Sequence, residues 1–132
     1  MNPTDLLYAK THEWTRVETA SGGKTATVGI TQFAVEALTD LVYMQLPQVG
    51  RKVTAGEPMG EIESVKAVSD LYSPVTGEVV EVNATLPDHL ETLNQDPYGA
   101  GWIAKIRIVD EAQLSKLLSR EAYEKQCADE AH

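Results

Sequence analysis

The sequence holds one cysteine, Cys127, among its 132 residues, so no disulfide can close within the chain. That scarcity removes every zinc pattern built on paired cysteines and suits a reducing compartment. The three histidines, His12, His89 and His132, lie far apart without metal-ligand spacing, so no metal is expected. Bases are also scarce: 11 Lys and Arg stand against 20 Asp and Glu, a formal charge of −9. Phosphates call for a basic face, so neither nucleic acid nor an anionic membrane surface is an expected partner. No apolar run approaches the length of a membrane-spanning helix. The first fourteen residues show neither the basic head and apolar stretch of a signal peptide nor the Arg and Ser richness of a transit peptide. G-x-S-x-G, P-loop and Rossmann patterns are missing too. His12 and Cys127 could pair as base and nucleophile, but Cys127 sits near the end of an amphipathic tail, which argues against it. The chain therefore reads as a non-catalytic protein whose chemistry comes from a covalent cofactor or a partner enzyme.

What is present fits one domain over residues 1–132, a β core about 6–109 followed by a helical segment about 110–128. Glu13–Glu18 alternates polar and apolar residues, residues 20–23 turn the chain, and Lys24–Ile30 is rich in β-branched residues, which predicts a hairpin. Thr31 is placed to cap a short helix over Gln32–Thr39, with Phe33, Ala37 and Leu38 facing inward. Asp40–Leu46 reads as a buried strand stopped by Pro47. Gly60–Ser64 and Gly77–Asn83 keep period two, and the segment from Val53 to Glu57 weakly repeats in Val75–Glu78, which suggests two related β halves joined by a hairpin. Pro87–Leu93 carries one or two helical turns, Asn94–Gly101 is dense in turn residues, and Trp102–Val109 alternates as the last strand. Asp110 with Gln113 forms a near capping box, and Leu114, Leu117 and Leu118 mark one apolar face of a helix running to about Lys125. Short strands separated by turns point to a mainly β fold, a small barrel or sandwich with a C-terminal helix packed outside.

The charge is concentrated. Residues 53–104 contain nine acids and one base, Lys66, so this stretch carries −8 of the −9. A two-residue turn at Val65-Lys66 would pair Ser64 with Ala67, Glu63 with Val68, Ile62 with Ser69 and Glu61 with Asp70. That register sends Ile62 inward, leaves Glu61, Glu63 and Asp70 outward, exposes Val65 and Val68, and puts Lys66 at the tip. Two carboxylates then face each other across the pair, which is unfavourable for stability. A solitary lysine on a hairpin tip between two repeat halves is a candidate for covalent modification.

The stretch Gly60-Glu-Ile-Glu-Ser-Val-Lys-Ala-Val-Ser-Asp-Leu-Tyr-Ser-Pro-Val-Thr-Gly-Glu-Val-Val-Glu-Val-Asn83 resembles the lipoylation segment of the glycine cleavage H-protein family. Thr11–Trp14, Gly29–Ala34, Leu38–Pro47 and Asp96–Trp102 match further motifs of that family in its order. The resemblance implies a barrel-sandwich hybrid of the lipoyl/biotinyl type, with lipoic acid in amide linkage on Lys66. Biotin carriers typically present Ala-Met-Lys-Met and the lipoyl domains of 2-oxoacid dehydrogenases Asp-Lys-Ala, whereas Ser-Val-Lys-Ala is the H-protein form.

The role implied is a shuttle. Lipoyl-Lys66 would accept the aminomethyl group of glycine from a pyridoxal-phosphate glycine decarboxylase and deliver it to an aminomethyltransferase for transfer to tetrahydrofolate. Dihydrolipoamide dehydrogenase would then reoxidise the dithiol. The same motif would serve a lipoyl-relay protein that donates lipoate to other lipoate-dependent enzymes. Glu63 and Gly77 fit the pattern read by lipoate-attaching enzymes, and Thr11, Glu13 and Asp70 fall where the family forms a cleft for the loaded arm. A monomer is expected, in the cytoplasm of a bacterium or the mitochondrial matrix of a eukaryote. Two departures stand out: Thr39 where Gly is usual, and Ala37 where some members have His.

Overall fold

The computed structural model describes residues 6–20, 23–38 and 40–130. Its strands are β1 (Leu7–Tyr8), β2 (Glu13–Ala20), β3 (Gly23–Ile30), β4 (Leu41–Gln45), β5 (Lys52–Val53), β6 (Pro58–Ser64), β7 (Val68–Tyr72), β8 (Thr76–Val82) and β9 (Ala104–Asp110). Helices α1 (Gln32–Leu38), α2 (Glu91–Gln95) and α3 (Arg120–Glu130) interrupt them, with single 3-10 stretches at Leu86–Asp88 and Glu111–Lys116. Two antiparallel sheets result, one of six strands in the order β1-β2-β3-β9-β8-β5 and one of three in the order β4-β6-β7. Neither sheet is closed, and this is the mainly β, two-sheet hybrid that the sequence predicts.

The inward residues of both sheets meet in one core, with Val28, Val79 and Ile106 from the large sheet against Met44, Ile62 and Leu71 from the small one. Period-two alternation decides which side chains enter it. The β2–β3 hairpin forms with Glu13 opposite Ile30 and Glu18 opposite Thr25, while residues 21–22 of its expected turn lie outside the described residues. A second cluster, Leu6, Tyr8, Trp14 and Tyr123, lies apart from the first and is dominated by aromatic rings. Burying each such side chain is worth roughly 1.5–3 kcal/mol.

Several local expectations need correction. Thr31 does cap α1, its Oγ1 accepting the Ala34 N–H at 3.2 Å. However, Val35 is the residue of α1 that is buried, and Ala37 is exposed. Phe33 lies half-buried, stacked on His12 at 4.9 Å instead of entering the core. Thr39 lies outside the described residues. Strand β4 is mostly not buried: a register shift lies between Leu41 and Tyr43, Val42 and Tyr43 are exposed, and Met44 is buried in the core with partly buried Leu41 packed against it. The single C-terminal helix is in fact two pieces. Leu117 is extended (ψ 153°), and Leu118 pairs backbone to backbone with Tyr8, its N–H donating at 2.6 Å. Asp110 caps the first piece by accepting the Ala112 N–H, and Ser119 starts the second by accepting from Ala122.

Ion pairing redistributes the acidic stretch. Glu57 meets Arg51, Glu78 meets Arg107 and Glu81 meets Lys105, all with bases from outside it. Among the described residues, Glu61, Glu63 and Asp70 have no ion-pair partner, and all three lie on the small sheet beside Lys66. The linear charge count overstates the acidity of the large sheet. Of the acids in this stretch left without a Lys or Arg partner among the described residues, Glu61, Glu63 and Asp70 lie on the lysine hairpin and Asp88, Glu91 and Asp96 in the segment between β8 and β9.

Candidate functional site

Strands β6 and β7 pair with Glu63 opposite Val68, Ile62 opposite Ser69 and Glu61 opposite Asp70, and the Ser64 N–H donates to the Ala67 carbonyl at 2.8 Å. This is the predicted register, and it places Lys66 exposed at the tip with Val65 and Val68 exposed on either side, 67% and 60%. Two-residue hairpins usually need positive φ, which a β-branched valine resists. Neither Val65 nor Lys66 has a positive φ. The tip is held by a side chain instead. The buried Ser64 hydroxyl accepts from the Lys66 and Ala67 N–H groups at 3.4 and 3.1 Å, and the Asp40 carbonyl accepts from Val65 at 3.0 Å. Ser64 was not singled out from sequence, though a serine directly before a turn is the signal for such a clamp.

Thr11, Glu13 and Asp70 line one cavity of about 150 Å³, Glu13 from β2 and Asp70 from β7. Ile30, Ala34, Leu38, Ile62 and Leu71 give it apolar walls, and Ala37 and His12 also line it. Glu13 is 2% exposed. The Thr11 hydroxyl donates to its Oε1, and the Tyr72 N–H, on the edge of the small sheet, donates to Oε2 at 3.3 Å. One carboxyl therefore ties the large sheet to an edge strand of the small one. Burial pushes it up to about 7, against the lowering pull of the Thr11 hydroxyl and the Tyr72 amide. A carboxyl near neutrality in a half-apolar cleft ionises readily when a cation arrives.

Asp70 is exposed at the rim, four residues along the chain from Lys66, or about 13 Å of extended strand. A lysine lengthened by an acyl chain spans that distance. Its hydrocarbon part suits the apolar walls, and a cationic end suits Glu13 and Asp70.

Two sequence candidates lie elsewhere. Gly77 is buried in β8, where a Cβ would overlap the Arg107 carbonyl, so its lack of a side chain serves the packing of β8 on β9. Glu63 stays beside the tip, half-buried, opposite Tyr43 and Val68. The pairing of His12 with Cys127 does not form. Nδ1 of His12 bonds the Tyr123 hydroxyl at 2.7 Å, and Nε2 faces Glu130 at 3.2 Å. Among the described residues no group of His, Cys, Asp and Glu could hold a metal ion, and no helix is long and apolar enough to cross a membrane.

The family model described as glycine cleavage H-protein matches residues 6–130. A glycine cleavage system H protein from Rhodopirellula baltica is 54% identical over 129 residues, covering 97% of this chain and 96% of its own. Its counterpart from Rubrobacter xylanophilus is 54% identical over 128 residues, with coverage of 97% and 96%. The crystal structure of a glycine cleavage system H protein from Mycobacterium marinum aligns with a TM-score of 0.85 at 44% identity, over 95% of this chain and 98% of that one. A hairpin built to present one lysine, an acidic cleft within its reach and this agreement along nearly the whole chain lead to one conclusion: the chain belongs to the glycine cleavage H-protein family.

Proposed function

We propose that the chain is the lipoyl-carrying shuttle of the glycine cleavage system, with Lys66 as the attachment point and the cleft of Thr11, Glu13 and Asp70 as the resting place of the arm. The observation that carries this reading is the pairing of an exposed lysine on a clamped hairpin tip with an acidic, apolar-walled cavity within reach. When bound, the lipoyl group supplies a disulfide that accepts a one-carbon amine unit together with electrons. The protein's own residues do the rest. Ser64 and Asp40 fix the direction in which Lys66 projects. Ile62, Leu71 and Leu38 exclude water from the arm, and Glu13 and Asp70 offset the charge of an ammonium at its end. Holding both reacting partners on one docked body turns each transfer into an encounter at high effective concentration.

Glu63 beside the tip is open to a lipoate-attaching enzyme, while Gly77 enters through the strand it shapes. The acidic row of Glu61 and Asp70 fits basic rims on glycine decarboxylase, aminomethyltransferase and dihydrolipoamide dehydrogenase, mainly by speeding association. The relatives compared above are bacterial, which supports the cytoplasm. The test is intact mass after co-expression with lipoate-attaching enzymes. One lipoyl group is expected on the parent and none on Lys66→Ala, and addition that survives the substitution would end this assignment.

A further inference from the structure

Helix α3 is polar, and Tyr123 is its one buried residue. The ring stacks on Tyr8 at 4.6 Å, which accounts for its burial. Stacking does not account for the position of its hydroxyl, which lies 2.6 Å from Thr31 Oγ1 and 2.7 Å from His12 Nδ1. Thr31 caps α1, whose Ala34, Ala37 and Leu38 form one wall of the cleft. His12 is the middle residue of Thr11–Glu13, a second segment of the cleft wall. A single hydroxyl therefore bonds both segments.

The backbone at His12 shows why this matters. It is the non-glycine residue with positive φ among the described residues, at 76°. Such a conformation costs of order 1 kcal/mol and persists where the surroundings over-determine it. Here they do. His12 donates its N–H to Ala9 and accepts from Thr31 N–H, stacks on Phe33, and faces Glu130 with its second nitrogen. Thr31 Oγ1, which accepts the Ala34 N–H, the Tyr123 hydroxyl and His12 Nδ1 form one continuous hydrogen-bonded chain, and Nε2 of His12 faces Glu130. Further ties come from the same helix: Gln126 donates to the Lys10 carbonyl at 2.8 Å, and Arg120 reaches the Tyr98 hydroxyl, which accepts the first amide of α1.

We infer that Tyr123 is a positioning residue for the arm cleft, its hydroxyl pinning the Thr11–Glu13 turn to the start of α1 so that the two segments keep their spacing. This deepens the carrier reading and rests on it for the identity of the guest.

Tyr123→Phe keeps the ring and removes the hydroxyl. In the unlipoylated protein, amide exchange at His12, Thr31 and Val35 is expected to quicken at least tenfold, with Glu63 and Ser64 unchanged. In the lipoylated protein the amine-loaded arm, followed by intact mass without aminomethyltransferase, is expected to lose its one-carbon unit several-fold faster. His12→Asn, which tolerates the same backbone conformation, should produce the same exchange pattern, and the double variant should be no worse than the more affected single one. Uniform acceleration across all amides, or no change at the three named ones, overturns the proposal. Failure of the parent to load at all would instead count against the carrier reading, and the exchange result would still decide this one.

Discussion

The hairpin that carries Lys66 is held mainly from within: Ser64 grips the amides two and three residues on, and the carbonyl of Asp40, the residue before β4, accepts from Val65. The turn that carries Thr11 and Glu13 is held from farther away, by Tyr72 on Glu13 and Tyr123 on His12 across separations of 59 and 111 residues, with the Thr31 N–H donating to the His12 carbonyl. The difference follows from what each must do. On the proposed carrier reading Lys66 has to project into solvent and be reached by partner enzymes, which suits a support that leaves the flanking faces open. A cleft that receives an arm and excludes water needs two walls at fixed spacing, which only tertiary contacts supply.

Three substitutions separate these two kinds of support. The largest effect is expected from Glu13→Gln. Glu13 titrates near 7 when folded and from a reference of 4.5 when unfolded. Between those values the folded protein keeps a proton that the unfolded chain has released, so stability falls as pH rises from about 4.5 to 7. The integrated loss is about 3 kcal/mol for that difference. Gln mimics the protonated form, so denaturant midpoints of the variant should be flat across the window while the parent's decline. Equal slopes would show that Glu13 is not held by burial. Gly77→Ala belongs to neither region and should damage both, at about 2 kcal/mol, because the new Cβ meets a backbone carbonyl that cannot step aside. A thermal melt unchanged from the parent would contradict that packing. Ser64→Ala should be mildest globally, at about 1 kcal/mol. Its effect should appear as a several-fold lower rate of lipoylation with the cleft amides undisturbed, and altered exchange at His12 would mean that the two supports are not separate.

The same contrast decides what the sequence discloses. The whole register of β6 on β7 follows from period two and the position of one turn, so Lys66, Glu61, Glu63 and Asp70 could be placed before any coordinates. Thr11 and Glu13 were placed by family resemblance, since nothing in their spacing shows that Glu13 is buried beside Tyr72. Tyr123 was missed because its polar helix gives no periodic signal; a lone aromatic in such a helix was the one available clue. Phe33 and Ala37 were misassigned because helical spacing allows more than one inward face, and the neighbouring His12 took Phe33 as its stacking partner. The break at Leu117 was hidden by three leucines at helical spacing, yet Ser119 was a legible cap.

The position of Tyr123 in the chain, more than fifty residues after Lys66, has a consequence for biosynthesis. As the polypeptide leaves the ribosome, the small sheet and its lysine can form while α3 has yet to be made. On the carrier reading proposed above, the hairpin with Lys66 and the β8 strand that Gly77 shapes are both synthesised before α3, so the attachment site is made earlier than the helix that ties the cleft together.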